Sequence, residues 1–89
     1  MWRLNPQSSL HYRHWGNEWA VFDLGSGQTH EMDTVSAVAL MYCENGWIAS
    51  PQIIDGVMAD LELPPDTIIH IEDLLTQFAN IGLLECMAA

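Results

Sequence analysis

An α+β fold, with three antiparallel strands followed by three helices, is the class predicted by three features of this 89-residue sequence. Strand-forming residues alternate between tight-turn signals from Leu10 to Met32. Beyond Asp33 the apolar period becomes that of helices, and Asn45-Gly46, Ser50-Pro51 and Pro64-Pro65 punctuate that second half. A chain of this length builds one core and has little area left for a deep active-site cavity, so residues 1–89 are read as one domain. Apolar residues make up 49% of the sequence, enough to offset chain entropy and too many for a disordered chain.

The first turn is Gly16-Asn17. With those two residues as the loop, Tyr12 pairs with Val21 and His14 with Trp19, and Leu10, Tyr12, His14, Trp19 and Val21 share a core-facing side. The second turn lies in Gly25-Ser26-Gly27. A Ser26-Gly27 loop there pairs Val21 with Met32 and Asp23 with His30, leaving a short third strand, Gln28 to Glu31, at the sheet edge.

Asp33 caps a first predicted helix from Thr34 to about Glu44, burying Val35, Val38, Ala39 and Tyr42. Ser50 followed by Pro51 reads as a cap with proline in the first turn, and the second helix runs from Pro51 to about Asp60, burying Ile53, Ile54, Val57, Met58 and Leu61. The third helix spans about Asp66 to Asn80. At roughly 100° per residue, Ile68, Ile71, Leu74, Leu75, Phe78 and Ile81 cover a broad arc, wider than one core contact usually requires. Past Gly82, Leu83 to Met87 reads as a short closing strand or an extended tail.

Charge narrows the partners. Twelve Asp and Glu stand against Arg3 and Arg13 with no lysine, a formal net charge of −10. Nucleic-acid affinity comes from Lys and Arg neutralising phosphates, so DNA, RNA and anionic membranes are poor partners. The charge either keeps a small apolar domain dissolved or steers a basic partner. No basic segment leads into a long apolar run, and Val35 to Tyr42 is too short to span a bilayer. Cys43 and Cys86, far apart and without CxxC spacing, read as small apolar fillers with reduced thiols in a cytoplasmic protein.

Catalytic and metal chemistry find little support. His11-x-x-His14 is the one close histidine pair, but residues three apart on a strand point to opposite faces, so no metal site is expected. No Ser or Cys sits in a nucleophile motif. Gly25-Ser26-Gly27 lacks the lysine and following helix of a phosphate loop. Glu72 and Asp73 are adjacent on a helix and so about 100° apart, which suits a solvated face better than an acid/base pair. The expectation is a protein with no catalytic activity and no cofactor.

The residues Trp2-Arg3-Leu4-Asn5-Pro6, Arg13-His14-Trp15-Gly16-Asn17-Glu18, Leu24-Gly25-Ser26-Gly27-Gln28-Thr29-His30 and Ile81-Gly82-Leu83-Leu84 resemble the PqqD family. The likeness is to the small PqqD-like chaperones encoded with an HPr-kinase-related protein, the HPr-rel-A system, and runs almost the full length. It implies a winged-helix-like fold used as a recognition element for the leader of a ribosomally made peptide, which adds as a strand beside the third strand and lies against the third helix. Mapped here, the peptide-binding residues are Gln28, Thr29, His30 and Glu31 on the edge strand and His70, Leu74, Gln77 and Ile81 along one shoulder of the helix. Extended-peptide pairing draws affinity from main-chain hydrogen bonds and specificity from alternate side-chain pockets.

The expected partners are therefore a precursor peptide and its modifying enzyme. Two other readings stand beside this one. A structural subunit would use the exposed strand edge, for example as a homodimer. A winged-helix DNA-binding regulator would need basic or amide side chains on the third helix, which instead carries Glu72 and Asp73.

Overall fold

The computed structural model describes residues 1–87. Its elements are β1 (Trp2–Leu4), β2 (Leu10–Trp15), β3 (Glu18–Asp23), β4 (Gln28–Asp33), α1 (Thr34–Tyr42), α2 (Ser50–Leu61), α3 (Thr67–Asn80) and β5 (Leu84–Cys86). The predicted order of three antiparallel strands and three helices is present, with a second, two-stranded sheet added.

The meander β2-β3-β4 opens as its turn residues dictate. Gly16-Asn17 closes the first hairpin, with Tyr12 opposite Val21 and His14 opposite Trp19. The His14 ring stacks on Trp19 at 4.5 Å, Tyr12 meets the same indole edge-on at 6.2 Å, and Trp19 Nε1 donates to Thr34 Oγ1 at 2.9 Å, fastening the sheet to the start of α1.

The second hairpin corrects the predicted register by two residues. Val21 faces His30 and Asp23 faces Gln28, so the loop is residues 24–27. An even shift keeps every side chain on its predicted face. The longer loop is organised by the buried Asp23 carboxylate: Oδ1 accepts from the Ser9 and Gly25 backbone N–H groups at 3.1 and 2.9 Å, and Oδ2 from the Ser8 and Ser26 hydroxyls at 3.0 and 3.1 Å. Burial alone would raise the Asp23 pKa, but these four donors outweigh it and hold the carboxyl below its ordinary value. Gly25 has to be glycine here, since a Cβ would lie 1.8 Å from the Gln7 carbonyl oxygen. The third strand also runs two residues past its predicted end, to Asp33.

Asp33 caps α1 as expected, its Oδ1 accepting from Ser36 N–H at 2.9 Å. The helix stops at Tyr42, and its buried face is Ser36, Ala37, Ala39 and Leu40. The predicted Val35, Val38 and Tyr42 pack only partly buried around that face. Gly56 on α2 lets Tyr42 close in, because a Cβ there would come within 2.7 Å of the ring.

The Ser50 cap is a second correction: Ser50 is already helical and Ala49 holds the cap position. The serine hydroxyl instead accepts from Trp2 Nε1 at 2.6 Å, and Gln52 Oε1 accepts from the Ala49 N–H at 3.4 Å. Ile53, Ile54 and Val57 are buried on α2, while Met58 and Leu61 are half-buried. On α3, Ile71, Leu74, Leu75 and Phe78 are buried, but Ile68 and Ile81 at the ends of the apolar arc remain 38% and 56% exposed.

Strand β5 is the closing strand allowed for at the C-terminal end; β1 is an element that periodicity does not reveal. Trp2 pairs with Cys86 and Leu4 with Leu84, while the other side of β1 bonds to the Ile48 and Cys43 backbone. Arg3 bonds Glu85 at 2.9 Å and lies 4.5 Å above the Trp47 ring. The core gathers Leu40, Ile53, Val57, Ile71 and Leu75 from the helices, Cys43 from the end of α1, Leu84 from β5 and only Val21 from the meander. Burial is what pushes the Cys43 thiol up to about 12, as befits an apolar filler.

No helix among the described residues is long and apolar enough to cross a membrane.

Candidate functional site

Strand β4 is the outer strand of the meander, so half of its backbone N–H and C=O groups face away from β3. Along that edge, across from α3, runs a cleft of about 290 Å³ lined by His30, Glu31, Met32, Asp33, Ser36, Leu74, Gln77, Phe78 and Ile81. The strand supplies one wall, the first turn of α1 closes one end, and the C-terminal half of α3 supplies the other wall. Ile81 also borders a smaller hollow of about 110 Å³, which continues past Gln28 to Asn5 and Gln7.

Of the eight residues assigned to peptide binding from sequence, His30, Glu31, Leu74, Gln77 and Ile81 line this cleft. Gln28 lies in the adjoining hollow. Thr29 is exposed and opposite Phe22, on the other face of the sheet, and His70 is exposed one turn before Leu74, outside the cleft. Met32, Asp33, Ser36 and Phe78 are lining residues that sequence reasoning did not assign to the site. Their signal is Asp33 acting as an N-cap directly at the end of the strand. Met32 then remains strand, and Ser36, bonded to the cap, lies one turn into the helix on the same side.

The floor is apolar and the fittings are few. Leu74 and Phe78 are 8% and 6% exposed, so each presents only a sliver of side chain, whereas Ile81 offers most of its surface. His30, opposite the fully buried Val21, has its Nε2 enclosed and without a hydrogen-bond partner within the described residues. Gln77 stands exposed on the helical wall. Neither arginine lines the cleft, and its ionisable members besides His30 are the carboxylates Glu31 and Asp33.

The arrangement suits shape and main-chain recognition. Among the described residues no three His, Cys, Asp or Glu side chains gather where they could hold a metal ion. What the cleft offers is an unpaired strand edge, an apolar floor and a polar atom enclosed beside it.

No protein-family model and no curated protein matches the chain. Among solved structures, TbiB1 in complex with the TbiA(beta) leader peptide matches with a TM-score of 0.68 at 23% sequence identity, over 98% of this chain and 99% of that one, so the two proteins share one fold over nearly their whole lengths.

Proposed function

We propose that this chain is a non-catalytic peptide-recognition module that binds the leader segment of a ribosomally made precursor by strand addition to β4 and presents it to a modifying enzyme. The observation that carries this reading is the open edge of β4 facing α3 across an apolar cleft. An extended peptide on that edge gains main-chain hydrogen bonds, and every second side chain enters the cleft toward Leu74, Gln77 and Ile81. The likeness to TbiB1, solved with a leader peptide bound, supports the same use of a shared fold. Within this reading the protein is a cytoplasmic, PqqD-like chaperone of the HPr-rel-A type, with an HPr-kinase-related protein as its companion.

The test is an amide-shift titration of labelled protein with peptides from the short reading frames beside its gene. Shifts are expected in β4 and α3. Gln77→Arg, which adds bulk and charge on an exposed wall, should weaken binding at least tenfold while leaving the melting temperature within about 2 °C. Shifts confined to Arg13–Glu18 would overturn the placement. Concentration-dependent dimerisation that occupies β4 without peptide would assign the edge to a second copy of the chain instead.

A further inference from the structure

We infer that the outer face of β4 carries a second pocket, which takes one lysine or arginine side chain of the bound peptide; this rests on the strand-addition reading. A concavity of about 350 Å³, larger than the cleft against α3, is lined by Trp15, Glu18, Trp19, Ala20, Glu31 and Met32. Glu31 and Met32 border both spaces, so the two lie on either side of the same edge strand.

The register shows how the pocket is built. Glu31 is opposite Ala20, and Trp15 is opposite Glu18, all on the sheet face turned away from the helices. Ala20, small and only 8% exposed, makes a low apolar floor, and Trp15, 63% exposed, stands at its end. An indole and two carboxylates around an apolar floor suit one chemistry. The aromatic face and the carboxylates both attract a cation, while the floor accepts the methylene stem of a long basic side chain.

The fold already uses this chemistry once. In the two-stranded sheet the Arg3 guanidinium lies 4.5 Å over Trp47 and 2.9 Å from Glu85. No cation of the chain lines the outer pocket. The chain contains no lysine and Arg3 is held by Glu85; Arg13 shares this sheet face, opposite Ala20, but makes no ion pair with either carboxylate among the described residues and lines the adjoining hollow with His11, Phe22 and Leu24. With a net charge of −10, the complementary group belongs to the partner.

Strand geometry then fixes the peptide pattern. The peptide residue directly opposite Glu31 shares its face, with Cβ atoms about 5 Å apart, and the residues before and after it point into the cleft toward Leu74, Phe78 and Ile81. The preferred segment is a basic residue flanked on both sides by apolar ones.

Random nine-residue peptides displayed on phage and selected on the full chain test this. Selected peptides that shift β4 amides should carry Arg or Lys between apolar residues. Changing that residue to Ala should weaken binding about tenfold, and Arg→Lys should cost less than that. In the Glu18→Gln, Glu31→Gln double variant, with circular dichroism unchanged, the basic peptide should keep at most about a threefold advantage over the Ala peptide, the share of the Trp15 face. Peptides that shift β4 but are indifferent to the cation, or whose full tenfold preference survives in the double variant, would overturn the pocket and leave strand addition standing. Selected peptides that leave β4 unshifted, or a selection that yields no binder, would overturn both.

Discussion

The β1–β5 ribbon and the β2–β3–β4 meander differ most in what covers their edges. One side of β1 is bonded to β5 and the other to the Ile48 and Cys43 backbone, and Leu84 in β5 is only 3% exposed. The meander gives the core one fully buried side chain, Val21, and its hairpin tip from Arg13 to Glu18 is exposed throughout. The same backbone chemistry thus closes the body in one sheet and leaves a template for another strand in the other. The ribbon is the more deeply built into the core, whereas the meander leaves more of its surface open.

Three substitutions break or sharpen that contrast. Leu84→Ala removes a buried side chain from the ribbon and should cost about 3 kcal/mol in urea unfolding, with the whole domain melting together. Asp23→Asn strikes the point where the meander is tied to the segment after β1, and should cost about 1.5 kcal/mol at pH 7, since the amide offers one acceptor oxygen to four donors.

That second effect carries a pH signature. The folded Asp23 carboxyl titrates below its unfolded value of about 4, so its contribution is complete above that value and is lost as pH falls through the folded one. The stability gap between wild type and Asp23→Asn should be flat from pH 7 to 5 and shrink below about pH 4; a gap that widens in acid would contradict the assignment. The smallest change is expected at the meander tip. Trp15→Ala should alter stability by less than about 0.5 kcal/mol in the same assay, because the ring is mostly exposed.

The contrast also divides what was legible in the sequence. The meander and the helices rest on local signals, and Gly16-Asn17 alone sets the first hairpin register correctly. The second register was read two residues off because Asp23 recruits Ser8 and Ser9, donors on the far side of β2 that no turn dipeptide announces. The Ser50 cap failed for a similar reason, as its hydroxyl is claimed by Trp2, 48 positions away. Strand β1, three residues long beside Asn5-Pro6, has no period to detect. In the candidate site, the helical stripe and the edge strand brought five of the eight assigned residues to one cleft. Thr29 lies outside it because the strand residues of the cleft begin at His30, and His70 because the cleft follows only the later turns of α3.

The pairing of Arg3 with Glu85, 82 positions apart, also orders events during synthesis. The meander and α1 consist of near neighbours and can form while the chain is still emerging, but β1 has to wait for β5 to leave the ribosome. Until then Leu83 and Leu84 are absent from the core and the helices lack their last cover. High contact order in one three-residue strand therefore makes completion of this small domain a late, all-or-none step.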